Sequence, residues 1–312
     1  MSYPAGAAQR DAWIVGQRGG RGSLHPALPY EYFVEEERGA SGTIEAVATV
    51  FLTNRECPFR CLMCDLWRNT LTETVAHGAI VAQIDHALAQ LGPARELKLY
   101  NSGSFFDPRA IPPTDYVAIA ERANRYQRLV VENHPAFTGD ACVRFRDLLH
   151  GQLEIAMGLE TVHPQVLAGL NKRMTLQQFS RAANFLTDRG IDLRVFILVQ
   201  PPLMPADEAL EWAERSLDFA MEHGATAATL IPTRGGNGAM ETLGFVPPAL
   251  HTLEQAMEYG VRLKRGRVFA DLWGLQEVCA ECHTLRIARL RQMNLEQVVA
   301  ERIDCTRCGG VS

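Results

Sequence analysis

The feature that most constrains this chain is a rhythm. From about residue 45 onward, short runs rich in β-branched residues alternate with longer stretches whose apolar residues recur at helical spacing. The strand candidates are EAVATVFLT (45–53), ELKLYN (96–101), RLVVEN (128–133), LEIAMGLE (153–160), DLRVFILVQ (192–200) and TAATLI (226–231). Between them lie the helical candidates Val75–Leu91, Thr114–Tyr126, Leu176–Arg189 and Asp207–His223, with Pro and Gly at the joints. Such alternation implies parallel strands joined by right-handed crossovers. Six units predict an α/β fold, a partial (βα)6 barrel of the TIM type. A doubly wound open sheet has the same periodicity and stays open as the alternative. In both, functional residues gather at the C-terminal ends of the strands.

The flanks behave differently. Residues 1–40 are rich in Gly, Arg, Pro and Ala and predict an arm or cap. After a helix over Leu250–Lys264, RVFADL (267–272) offers a seventh strand, which closes a barrel domain over 41–272. Residues 273–312 read as a small appended module. A chain of 312 residues with 47% hydrophobic and 21% charged residues can build a substantial core. A net charge of -5 argues against a surface dedicated to nucleic acid, while allowing a local basic patch. No apolar run reaches membrane-spanning length, and the first residues lack the layout of a secretory signal. A cytoplasmic setting away from any membrane is therefore expected, where clustered thiols act as metal ligands or catalysts rather than disulfides.

Three of the eight cysteines, Cys57, Cys61 and Cys64, fall in NRECPFRCLMCDLWRN, directly after the first strand of the rhythm. A structural zinc site wants four ligands, usually as two separated pairs. Here the spacing is C-x3-C-x2-C with no fourth cysteine nearby. Three thiolates on a four-iron cluster leave one iron open to another molecule. On the residues alone, a zinc site completed by a distant ligand also remains open.

This spacing, on the loop after the first strand of a βα barrel, resembles the radical SAM superfamily. The resemblance implies a [4Fe–4S] cluster on Cys57, Cys61 and Cys64 as the catalytic centre. It also implies S-adenosylmethionine chelated at the open iron, and reductive cleavage to a 5′-deoxyadenosyl radical that abstracts hydrogen from a substrate. Met63 stands where many members carry an aromatic residue and would pack on the adenine. The stretch NSGS after the second strand maps onto the segment whose backbone binds the cofactor's amino group, namely Asn101, Ser102, Gly103 and Ser104. Glu132 ends the third strand, and Glu160 ends the fourth as a partner for a ribose hydroxyl. Lys172 and Arg173 are matched to the cofactor carboxylate, and Pro232 opens a loop lining the adenine side. In order, NSGSFFDPRAIP, GLETVHPQVLAGLNKRMTLQQFSRAA and FILVQPPLMPADEAL resemble the branch holding the radical SAM subunit of archaeosine synthase and, more distantly, the elongator catalytic subunit. A deazaguanine-type base in tRNA is the substrate this implies, with a flavodoxin- or ferredoxin-type one-electron donor. A small-molecule substrate for the same chemistry is the alternative, and a non-enzymatic iron–sulfur or zinc protein a more remote one.

A second set, Cys279/Cys282 and Cys305/Cys308, forms two C-x2-C pairs able to complete a tetrahedron. Four thiolates suit zinc or a second iron–sulfur cluster, in a structural or electron-relay role. Between the pairs, Arg286, Arg289 and Arg291 read either as a phosphate-contacting strip or as a solvated helix face offset by acids. Cys142, in a helical stretch, reads as a buried structural thiol.

Overall fold

The expected rhythm is realised as a single curled sheet whose strands pair strictly in chain order. The structure is a computed structural model and describes residues 3–276 and 279–307. β1 (Glu31–Arg38) runs antiparallel to β2 (Ile44–Phe51). From there the pairing is parallel through β3 (Glu96–Tyr100), β4 (Arg128–Glu132), β5 (Gln152–Glu160), β6 (Asp192–Val199), β7 (Ala227–Pro232) and β8 (Arg267–Ala270). The seventh parallel strand is thus present, and an eighth, antiparallel strand precedes the series. α1 (Ala7–Gly16) comes before β1. The crossovers carry α2 (Ala79–Leu88), α3 (Tyr116–Ala123), α4 (Asp140–Arg146), α5 (Pro164–Gly169), α6 (Leu176–Thr187), α7 (Ala209–Glu222), α8 (Ala239–Thr242) and α9 (Leu250–Leu263); α10 (His283–Glu296) follows β8. Residues 1–40 thus contain a helix and the edge strand.

The pleat sorts side chains by parity. Leu97 and Leu99, Leu129 and Val131, Leu153 and Ile155, and Leu193 and Val195 face outward into the core beneath the helices, which also takes in Cys142. The opposite face carries charge. Arg194 on β6 bonds Glu154 on β5 at 2.6 Å and Glu37 on β1 at 2.5 Å. Lys98 on β3 reaches Glu37 at 2.6 Å, and Arg267 on β8 reaches Glu154 at 2.9 Å. Contacts between strands that are not neighbours are possible only across the interior of a curled sheet. The base of the barrel is therefore a largely buried, ion-paired plug.

The sheet's open edge lies between β8 and β1, and α10 covers the β8 side of it. Asn294 exchanges side-chain hydrogen bonds with the backbone of Ala270, at 2.7 and 2.9 Å, and Gln297 does the same with Val268, at 2.7 and 2.8 Å. These amides satisfy the backbone groups that an edge strand leaves exposed. Leu290 and Met293 of the same helix join the main core. No helix among the described residues is long and apolar enough to cross a membrane.

Candidate functional site at the strand C-termini

The cysteine loop leaves β2 and is braced at both ends. Leu71 N–H donates to the Asn54 carbonyl and Glu56 N–H to that of Leu71, each at 2.8 Å. Between these ties, Cys64 N–H turns back onto the Cys61 carbonyl at 3.2 Å. Other loops grip the turn: Leu62 N–H donates to Leu170 O at 2.8 Å, and Asn237 Nδ2 donates to Leu62 O at 2.6 Å. From above, α1 seats Ile14 against Leu62 and Ala239. Glu56 is held by Arg18 at 2.7 Å, by Arg60 at 3.0 Å and by Arg21. Cys57, Cys61 and Cys64 are unpaired and half-buried. Burial pushes all three thiols upward, Cys64 to about 12. Thiolate chemistry here therefore requires a bound cation, and the three donors fit an iron–sulfur cluster.

The turn after β3 packs directly on the first cysteine. A Cβ added to Gly103 would stand 3.3 Å from that of Cys57, so this position suits glycine. Glu132 accepts Asn101 N–H at 2.8 Å, with the N–H groups of Ser102 and Gly103 also turned toward it. Burial raises its pKa to about 7 against those donors. Glu132 thus shapes the 101–103 turn through the backbone. Ser102 Oγ meets Tyr30 Oη at 3.0 Å, and Ser104 Oγ accepts His134 N–H at 3.1 Å.

Lys172 and Glu160 form a buried pair at 2.6 Å beside the thiols. Burial disfavours the ammonium, but the Glu160 carboxylate and the neighbouring thiols more than offset this and hold its pKa above the ordinary lysine value. A Cβ on Gly158 would collide with both partners, so the glycine makes room for the pair. Arg173 instead faces α1, bonding Asp11 at 2.7 Å and Ala7 O at 2.9 Å. The adjacent Lys172 and Arg173 are thus held by different partners. Met63 lies against an apolar group that includes Leu170, Leu198 and Met204, with Ile231 alongside. Pro232 is buried at the end of β7, opposite Val199.

His134, not singled out from the sequence, stands at the centre of this wall. Its ring stacks on Phe59 at 3.9 Å; Nδ1 accepts from Ala136 N–H at 3.1 Å, leaving Nε2–H to donate to Lys172 O at 3.0 Å. Burial, with Lys172 nearby, lowers its pKa to about 3, so the ring is neutral. The only sequence signal is its place directly after a strand end in VVENHP. Tyr30, Arg18 and Asp11 were equally invisible, because each reaches the site from far along the chain, whereas Asn237 lies in the loop after Pro232 that was expected to line the site.

Two features mark this rim as built around something else. Of eight non-glycine residues with positive φ among the described residues, Ser102, Glu160, Asn171, Arg173, Gln200 and Leu203 lie in these loops, while Lys264 and Gln297 cap helices. Seven buried side-chain polar atoms have no partner here: Thr53 Oγ1, Asn54 Oδ1, both of Asn101, Asn133 Oδ1 and Thr233 Oγ1 at or just past strand ends, and Asn171 Oδ1 in the turn after α5. Buried polar groups are normally satisfied, so this rim has hydrogen-bond capacity in reserve for a polar guest. It fits an amino-acid and nucleoside cofactor such as S-adenosylmethionine.

The C-terminal cysteines form a different kind of site. Cys279, Cys282 and Cys305 are buried, with all three sulfurs within 4.8 Å of one another and Cys279 Sγ 3.8 Å from Cys305 Sγ. Zinc–thiolate bonds of about 2.3 Å in a tetrahedron set sulfurs roughly 3.8 Å apart. Cys308 lies outside the described residues. Of the three arginines between the pairs, Arg291 is exposed, whereas Arg286 and Arg289 join neither the expected strip nor a solvated face. Arg289 is 4% exposed and bonds Glu258 at 2.7 Å and Glu254 at 3.3 Å, while Arg286 pairs with Glu254 at 2.8 Å. Arg289 also donates to the carbonyls of Ala300 and Glu301, clasping the second cysteine arm onto α9.

No protein-family model matches the chain. Archaeosine synthase subunit beta of Methanosarcina acetivorans is 27% identical over 176 residues, 53% of this chain and 50% of that protein. An uncharacterised protein of Methanocaldococcus jannaschii is 22% identical over 232 residues, 70% of this chain and 64% of its own length. The chain thus spans between half and just under two thirds of these curated relatives. A radical SAM methyltransferase from Sphaerobacter thermophilus shares the fold, with a TM-score of 0.55 and 15% identity over 78% of this chain and 77% of that one.

Proposed function

We propose that the chain is a member of the radical SAM superfamily, on the branch of archaeosine synthase subunit beta, and that its rim is the active site of a hydrogen-abstracting enzyme. The observation that carries this reading is the meeting of three unpaired thiols with unspent hydrogen-bonding capacity at one rim. Cys57, Cys61 and Cys64 would hold a [4Fe–4S] cluster, which supplies the electron that splits S-adenosylmethionine into methionine and a 5′-deoxyadenosyl radical. The chain's own residues do the rest. Asn101 through Ser104 receive the amino end of the cofactor, held in shape by Glu132. Lys172 and Arg173 are each already paired, with Glu160 and Asp11, and the buried ammonium of Lys172, which lies beside the thiols, is assigned to the cofactor carboxylate. Glu160 serves a ribose hydroxyl, Met63 and the loop after Pro232 flank the adenine, and neutral His134 orients the wall without adding charge. The cover formed by α1 excludes water from the reactive side.

For the substrate, the relatives' name, archaeosine synthase subunit beta, supports a deazaguanine-type base in tRNA and a second subunit as partner; a one-electron donor of flavodoxin or ferredoxin type belongs to the same proposal and rests on the radical chemistry alone. The inward turn of Arg286 and Arg289 removes two cations from any tRNA-binding strip and favours a small-molecule substrate as the second reading. At the C-terminal site, the 3.8 Å sulfur separation favours a single zinc ion over a multi-iron cluster. Anaerobic reconstitution, reduction and chromatography test the whole: 5′-deoxyadenosine should form, faster with tRNA on the first reading or with a free metabolite on the second. A reconstituted, reduced protein that leaves S-adenosylmethionine intact would overturn both.

A further inference from the structure

A cavity of about 360 Å³ lies between the loop after β4 and α6, large enough for a small molecule. It is not the cofactor's seat, because no cysteine and none of residues 101–104 lines it. The apolar lining is Pro135, Met174 and Ala182, all buried, with Phe185 half-buried beside them. The charged lining is Arg173 and Arg181, and no carboxylate stands among the lining residues.

The polar side chains of these walls divide into engaged and free. Both ring nitrogens of His134 are engaged, by Ala136 N–H and by the Lys172 carbonyl. Thr138 Oγ1 accepts from Asn133 Nδ2 and turns its hydroxyl toward Met157 Sδ. Gln178 uses its oxygen on Thr175 N–H in the box that caps α6, which leaves its amide nitrogen as a donor. Arg173 holds Asp11 and Ala7 O through Nη2 alone, which leaves Nε and Nη1. Arg181 has no hydrogen bond or ion pair among the described residues and keeps its whole donor fork. The free side-chain capacity of the cavity therefore consists of donors, two of their three carriers being cations. All three carriers are exposed, so the donors stand at the mouth and the apolar lining lies deeper.

We propose that this cavity binds a small organic anion with a carboxylate at one end and an apolar, ring-sized body. The carboxylate meets Arg181, Arg173 and Gln178 at the mouth, and the body packs on Met174, Ala182 and Phe185. Charge alone would draw any anion, and an apolar lining any greasy guest; the combination selects a molecule that has both. His134 walls the cavity while its ring stacks on Phe59 of the cysteine loop at 3.9 Å, so the occupant sits one side chain behind the rim. Neither the site nor its test depends on the radical reading.

The test is equilibrium binding to the full-length, anaerobically reconstituted protein, with cinnamate as the probe. Cinnamamide supplies the same body without the charge, and inorganic phosphate the charge without the body. Cinnamate should bind saturably, cinnamamide about tenfold more weakly, and phosphate at equal concentration should not displace cinnamate. Arg181→Gln removes an exposed, unpaired cation, so the unfolding midpoint should stay while cinnamate binding weakens about tenfold. Arg181→Lys should keep part of that affinity, and cinnamamide should bind wild type and Arg181→Gln alike. The absence of saturable cinnamate binding would overturn the proposal, as would equal binding by wild type and an Arg181→Gln protein of unchanged midpoint. Displacement of cinnamate by S-adenosylmethionine would overturn it too, by placing the probe in the rim. Cleavage of S-adenosylmethionine by the same preparation judges the radical reading separately.

Discussion

The two cysteine sets use the same donor atom for opposite ends. The C-terminal sulfurs are drawn within 4.8 Å of one another, the one such group among the described residues, so the rim sulfurs are spread more widely. One ion gathers its ligands around a single centre, whereas a cluster binds each thiolate to a different iron. Their surroundings differ in the same direction. The C-terminal set is clasped by Arg289 and the acids of α9, its charges paired. Buried polar atoms without a partner occur beside both sets, His283 Nδ1 and Arg286 Nε at the C-terminal one, but they are more numerous around the rim, where backbone strain also collects. On the proposed reading, the C-terminal set suits a structural ion and the rim set keeps capacity for further ligands.

The sharpest break of this contrast is by substitution. Replacing Cys57, Cys61 or Cys64 with Ala should reduce 5′-deoxyadenosine formation to background while costing roughly 1 kcal/mol or less of stability, as chromatography and thermal unfolding would read. Replacing Cys279 and Cys282 with Ser should invert the pattern. Metal analysis should lose about one zinc per chain, and the unfolding midpoint should fall by roughly 5–10 °C. If the C-terminal pair instead controlled cluster reduction with no change in midpoint, the division of labour would fail.

Smaller changes sharpen it. Arg289→Met leaves Glu254 paired with Arg286 and Glu258 with Arg262 and Arg302, but it frees the second cysteine arm, so denaturant unfolding should show a loss of roughly 1–2 kcal/mol together with weaker zinc retention. At the rim, Glu132 is raised from 4.5 to about 7 by burial. The folded state therefore holds this proton more tightly, and the stability it gains is present below about pH 4.5 and fades as pH climbs to about 7. In the metal-free protein, Glu132→Gln should flatten the stability profile across that window by on the order of 2–3 kcal/mol, measured by denaturant titration at stepped pH.

Much of this was legible beforehand. The strand candidates correspond to β2 through β8, because a buried parallel strand must be apolar on its helix-facing side. The charged residues within them, Lys98, Arg128, Glu154, Arg194 and Arg267, were equally visible. Their meaning was not, since a charge at alternate positions reads as solvent exposure until the sheet curls and the charges meet in its interior. Arg286 and Arg289 misled for the converse reason: a basic helix face suggests phosphate or water until α9 brings Glu254 and Glu258 against it.

Sequence alone determined what lies close along the chain: the C-x3-C-x2-C loop, the βα rhythm that puts it at a strand's C-terminal end, and the paired C-x2-C motifs. Only the tertiary structure decided what meets across it. It brought α1 over the cysteine loop, His134 onto Phe59, Lys172 beside the thiols, and Arg181 to the cavity that His134 walls. The physical reason is common to all four. Ligand spacing and strand parity are local properties of the backbone, whereas burial, pairing and pKa depend on neighbours that only the closing of the barrel supplies.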